Sequence, residues 1–268
     1  LENQSIELAG HMDEFEKPEQ VNLKRVGKRI IVGPLNKIQD GIEMAQAGDT
    51  VIVTMGEYSE TLMIDKSNIT IMGQQKNDAW PILDGQNILP DAAVGTGSSI
   101  EINGFVIKDY TANGLMLNRS KAVTFRNIHC DNTGLYGIYP VECVGVLIEQ
   151  CSVTGISDAG IYVGQSKDIV VRNNVAYGNV TGIEIENSVN ALVENNKVYN
   201  NAGGILVFLL PNNPSKVSTN CRIVNNYVYK NNHVNFGEPG SIVSNVPQGT
   251  GLMVMAGDSV EVTGNRFH

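Results

Sequence analysis

The sequence predicts an all-β fold, a right-handed parallel β-helix with three strands per rung, on three observations. First, residues 157–208 repeat in steps of 22 or 23, with Gly160-Ile161, Gly182-Ile183 and Gly204-Ile205 each opening a short apolar strand. A fixed period of this size with β-type alternation inside it marks a solenoid. Second, two ladders keep step independently. Gly114, Gly137, Gly160, Gly182, Gly204 and Gly251 open the first strands, at spacings of 23, 23, 22, 22 and 47. Gly73, Gly104, Asn127, Gln150, Asn173, Asn195, Asn225 and Gly264 close the second strands. Third, no helical period occurs inside the repeat, so strands and turns fill each rung. Parallel crossovers in one sheet are right-handed.

Composition supplies the turns: 30 Asn and 28 Gly stand against 6% aromatic residues. Asn and Gly tolerate the left-handed backbone that a corner between strands demands. Stacked Asn side chains can also hydrogen-bond one rung away, at the strand spacing of ~4.8 Å. A third ladder runs through Ser120, Cys143, Ser166 and Ser188. Its place there makes Cys143 a small stacked residue rather than a reactive thiol.

In chain order, residues 1–27 are polar, acidic and without period, and are expected to form an N-terminal arm. Residues 28–48 are expected to form a strand, Arg29–Val32, and a capping helix. That helix starts at Pro34 and places Leu35, Ile38, Ile42 and Ala45 on one face. A solenoid needs its first rung covered, because an open rung exposes apolar side chains and a sheet edge. Residues 49–268 carry the β-helix. The repeat is enlarged between Gly73 and Gly104, around Trp80, and again at 208–220 and 230–249. Loops that exceed a rigid repeat tend to carry function. The last rung, Ser259 to His268, stops short, so either the chain continues or a protein partner covers that edge.

The net charge of −9, with scattered acids and no basic stripe, argues against a nucleic-acid partner. No window of 18 apolar residues occurs, so no membrane span is expected, and Leu1-Glu2-Asn3 reads as a mature start without a leader. The four cysteines lack metal-ligand spacing. His129 and His233 have no Cys or acid at zinc or nucleophile spacing and read as surface residues.

Alternation along the first strands puts two rows on the outer face. One contains Met116, Tyr139, Tyr162, Glu184, Leu206 and Met253; the other Asn118, Val141, Gly164, Glu186, Phe208 and Met255. Charge on these rows is confined to Glu184 and Glu186. Two carboxylates two residues apart on a strand are roughly 6.6 Å apart at the backbone, near the range of an acid and base pair acting on a glycosidic bond. Glu184 and Glu186 are therefore the candidate catalytic pair. Asp158, Tyr139, Tyr162, Asn187 and Phe208 are candidate substrate-binding residues, and the two late loops are expected to wall a groove around them. The alternatives are solvated glutamates on an ordinary strand, or a Ca²⁺ site built from Asp158, Glu184, Glu186 and Asn187 if the turns converge.

The segments Tyr136-Gly-Ile-Tyr-Pro-Val-Glu-Cys143, Ser157-Asp-Ala-Gly-Ile-Tyr-Val-Gly-Gln165, Gly182-Ile-Glu-Ile-Glu-Asn-Ser188 and Gly203-Gly-Ile-Leu-Val-Phe208 resemble a family of bacterial right-handed β-helix repeat proteins. That family belongs to the pectin-lyase-like superfamily, with carbohydrate-binding and sugar-hydrolase-type repeats and relatives of the periplasmic NosD type. The resemblance covers about Gly33 to His268. It implies an exported protein, periplasmic or secreted, and acidic polysaccharides as substrates. The chain departs from the enzymes of the superfamily. It lacks the strand-borne Arg and acidic calcium cluster of pectate lyases, the paired Asp motifs of polygalacturonases and the Asp-Pro-His-Asp stretch of mannuronan epimerases. Three functions remain open: a polysaccharide-binding or polysaccharide-cleaving protein of hydrolase or lyase type, a non-enzymatic accessory protein handling a partner or a metal, and a structural rod. Fold analogy does not choose among them.

Overall fold

The computed structural model describes residues 23–268, so most of the expected N-terminal arm lies outside the described residues. The arm's last residues, Lys24–Val26, form a strand paired antiparallel with Arg29–Val32 across a left-handed Gly27. The capping helix is shorter than expected, Ile38–Met44. Leu35 is 65% exposed, because Pro34 starts a turn closed by the Asn36 amide on Gly33 O rather than the helix itself. Ile38 and Ile42, with Ala45 just beyond the helix, are buried against the strands Arg29–Val32, Thr50–Val53 and Leu62–Ile64. The Glu60 carboxylate accepts from the Ile38 and Gln39 amides at 2.7 and 3.0 Å, closing the open helix end. The helix covers the first rung.

Beyond it every strand pairing is parallel within the coil. A typical rung is Thr181–Glu186, Val189–Glu194 and Lys197–Tyr199. First strands stack into one sheet of eight, from Leu62–Ile64 to Thr250–Met255. The second and third sides join into one continuous sheet, because Ile100–Lys108 and Lys121–Asp131 run through the corner unbroken. Register is constant: Tyr162 opposes Glu184, which opposes Leu206, which opposes Met253. Ile, Val and Leu fill the interior, with Phe105, Phe125 and Tyr110 the largest buried side chains.

The ladders have separate physical causes. Asn127, Gln150, Asn173, Asn195 and Asn225 close the second strands with φ between 51° and 57°, the left-handed corner expected. Gly73 differs: its φ is not left-handed, and a Cβ there would lie 1.8 Å from Gly104 O. The first-strand glycines are steric in the same way, since a Cβ on Gly114 or Gly204 would fall 2.2 or 2.3 Å from the carbonyl of the next rung.

The main hydrogen-bonded Asn stacks stand one residue beyond the corner rather than on it. Asn174, Asn196, Asn226 and Asn265 form one, each Oδ1 accepting the backbone and side-chain N–H of the Asn before it at 2.8–3.0 Å. Asn179, Asn201 and Asn231 form a second at the next corner. Ser166 Oγ accepts the Cys143 amide and Ser188 Oγ the Ser166 amide, both at 3.0 Å, so Cys143 is a stacked small residue. All four cysteines are free and buried, and burial raises each thiol above its ordinary value. On the last rung Val254, Met255, Val262 and Phe267 are 41–48% exposed. Among the described residues no helix is long and apolar enough to cross a membrane.

Candidate functional site

The expected outward rows are present, and they bring an acidic cluster and an aromatic cluster together on the first sheet. Tyr139 and Tyr162 are joined by Tyr136, with ring centroids 4.5, 4.7 and 5.0 Å apart. Tyr136 lies outside the two rows that alternation assigns to this face. The signal was its place one residue before Gly137, aligned with Ala159 and Thr181. Burial, with the nearby acids, raises all three phenols, so they stay protonated as hydrogen-bond donors and apolar surfaces.

The acids differ in access. Glu184 is 1% exposed and so lies beneath the face, not on it. Burial first, and then the neighbouring Asp158 and Glu186 charges, raises its carboxyl well above the usual range. The Thr181 hydroxyl lies 2.5 Å from Glu184 Oε1 and 3.0 Å from Asp158 O. Asp158 O already accepts the Thr181 backbone N–H at 2.8 Å, which leaves the hydroxyl proton to donate to Glu184.

Glu186, also largely buried, accepts from Asn213 of the 208–220 loop and from Gln165 at 3.5 Å. Burial raises its carboxyl, while hydrogen bonds from Tyr162, Asn213 and Gln165 oppose the shift. Asp158, in the turn before Ala159–Gly164, is half-buried. Burial and then the Glu186 charge push it above its ordinary value. No Lys or Arg stands on the two outward rows between Met116 and Met255 to offset these charges.

Two expectations are corrected. Asn187 is not free for a ligand: it is wholly buried, donates to Leu210 O and Ser215 O at 2.9 and 2.6 Å, and accepts the Leu210 amide at 2.7 Å. It anchors the loop. The open groove with two loop walls is also not formed as expected. The 208–220 loop does reach Glu186, but the 230–249 insertion lies over the sheet, where Val243 and Val246 pack on Leu206 and Phe208. Phe208 is accordingly 2% exposed. Beside the acids the accessible part of the face is the half-buried Met116, Asn118, Tyr136 and Tyr139, with Asp158 at its margin, and at the far end Met253 and Met255. Among the described residues no group of three or more His, Cys, Asp or Glu is placed to hold a metal ion.

Residues 92–268 match the family model described as a right handed beta helix region. No curated protein sequence matches the chain. Among solved structures, an alginate lyase from Paenibacillus sp. str. FPU-7 is 17% identical, with a TM-score of 0.62 over 90% of this chain and 95% of that one. PfbA, a surface adhesin of Streptococcus pneumoniae, is 13% identical, with a TM-score of 0.58 over 88% of this chain and 77% of that one. A tailspike protein of E. coli bacteriophage HK620, in complex with a pentasaccharide, is 13% identical, with a TM-score of 0.53 over 88% of this chain and 54% of that one. At such identities these likenesses bear on the fold alone. With its coil, register and family match in agreement, the chain belongs to the right-handed β-helix family.

Proposed function

We propose that the protein binds a polysaccharide along the outer face of the first sheet and cleaves it with Asp158 and Glu186. The observation that carries this reading is the contact of three tyrosine rings beside carboxyls held in unlike environments. Aromatic faces suit sugar rings, and two neighbouring carboxyls suit an acid and a base. Asp158, half-buried beside the Glu186 charge, holds its proton as the acid. Glu186, which accepts from Asn213 and Gln165, is its partner carboxyl and serves as the base. Glu184, buried behind Thr181, is a positioning residue. It replaces its foreseen role as half of the catalytic pair, because its carboxyl does not reach the surface. The solved neighbours include a polysaccharide lyase and a tailspike bound to a pentasaccharide, which supports a polysaccharide as ligand. An exported setting, periplasmic or secreted, belongs to the same reading.

The test is a panel of neutral and acidic polysaccharides, followed by binding, by release of reducing ends and by the ultraviolet absorbance of unsaturated products. Asp158→Asn and Glu186→Gln are each expected to lower turnover by at least about 100-fold with the fold intact by circular dichroism. Full turnover in both folded variants overturns the catalytic assignment. Binding without turnover in the native chain would make it a binding module.

A further inference from the structure

Beside the acid cluster lies a cavity of about 180 Å³ that the repeat alone would not make. Its floor is Leu206, Phe208, Met253 and Met255. These residues continue the rows of Glu184 and Glu186, one and two strands further along. At the strand spacing of ~4.8 Å, the cavity therefore begins one sugar-sized step from the carboxyls. Its roof is Ile242 and Val246 from the 230–249 insertion. That roof is held in place by Asn235, whose amide donates to Val243 O at 2.9 Å and Val246 O at 3.0 Å.

Three of the seven lining residues, Ile242, Asn245 and Met255, are exposed, so the space is open on one side, and its apolar floor suits a substituent better than a hydroxylated ring. An apolar cavity of about 150 Å³ accepts a benzene-sized guest. One amide, Asn245, stands in the lining beside the apolar side chains, enough to meet a single ester or amide group. At the mouth Ile242 and Met255 remain 52% and 41% exposed. Two methionines in the floor give a surface that adapts to flat or branched guests.

We propose that this cavity is a subsite for a short acyl or aryl substituent, and hence that the substrate is an esterified polysaccharide. The inference rests on the polysaccharide reading of the adjoining face, and its test separates the two.

The first arm uses benzyl acetate as probe and the methionine methyl signals of the full chain as readout in NMR. Met253 and Met255 are expected to shift saturably, while Met63 and Met72, exposed on distant rungs, do not. Met255→Trp, at the mouth, is expected to abolish the Met253 shift, as is the exposed rim change Ile242→Asp. Absence of a selective shift at Met253 and Met255 overturns the subsite. The second arm compares acetylated and saponified forms of alginate, pectin and xylan. The acetylated form of the bound polysaccharide is expected to bind about tenfold tighter, the order of magnitude for burying an acetyl methyl and carbonyl, with the preference lost in both variants. Equal affinities alongside a selective benzyl acetate shift overturn the substrate assignment but leave the polysaccharide reading standing. Failure of every polysaccharide to bind in either form overturns both.

Discussion

The Glu184 carboxyl is raised above its ordinary value because burial and the two neighbouring acids outweigh the one hydrogen bond it receives from Thr181, and its row carries no base. Its raised folded value has a definite sign for stability. The folded chain keeps a proton that the unfolded chain releases near 4.5, so the contribution is fully present below that pH and is lost as pH rises through the folded value. Asp158 and Glu186 act in the same direction. Asp49 and Asp84, both lowered from 3.8, act oppositely and only in more acid solution, where protonation removes what they contribute. Glu184→Gln is therefore expected to match the native chain near pH 4 and to be the more stable of the two above neutrality. Chemical denaturation at a series of pH values checks this, and parallel curves for the two chains would show that Glu184 is ionised in the fold. The residue scale is also where sequence reading fell short. Alternation along a strand placed Glu184 on the outer face, but facing outward is not the same as being exposed. Thr181, three residues earlier on the same strand, hydrogen-bonds its carboxyl, and Tyr162 and Leu206 stand opposite it on the neighbouring rungs.

At the scale of the element, two kinds of Asn stand side by side. Asn200 is exposed at φ 55°, and its role is conformational. Asn201 is wholly buried, accepts from Asn179, and donates to Ala176 O, Tyr199 O and Asn231 Oδ1. Asn200→Ala is expected to cost about 1–2 kcal/mol, the cost of a Cβ in the left-handed region. Asn201→Ala removes a donor and an acceptor from the interior together, each lost partner costing about 1–3 kcal/mol, so its loss should exceed that of its neighbour, by about twofold at the middle of these ranges. Equilibrium unfolding of the pair checks the order, and equal losses would mean that the buried ladder contributes little. The sequence shows Asn179, Asn201 and Asn231 at matching positions of the repeat, preceded by Gly178, Asn200 and Lys230, and Asn-Asn pairs at the other corner. Which of each pair turns inward depends on the corner, and that follows only from the backbone of the folded rung.

For the whole molecule, each rung touches mainly its neighbours, so stability is distributed along the coil rather than held in one centre. The first strands Ala159–Gly164, Thr181–Glu186 and Gly203–Phe208 are buried at every position. The last first strand, Thr250–Met255, is buried at none. Native-state hydrogen exchange should therefore show protection highest in those three rungs and falling toward residues 250–268. Uniform protection would instead mean that the coil opens as one unit. At the other end, Glu60→Ala should lower protection of the helix Ile38–Met44 first, since it frees the Ile38 and Gln39 amides.

The sequence by itself determined the period, the number of strands per rung, the handedness and the rows of the first sheet. Each depends on local rules, alternation and left-handed corners, that repeat until they are unmistakable. Tertiary structure alone decided which acids reach the surface, that Asn187 serves a loop, and that the 230–249 insertion lies over Leu206 and Phe208. Those outcomes rest on contacts between side chains far apart in sequence and on the path of a loop outside the repeat, and no period encodes either.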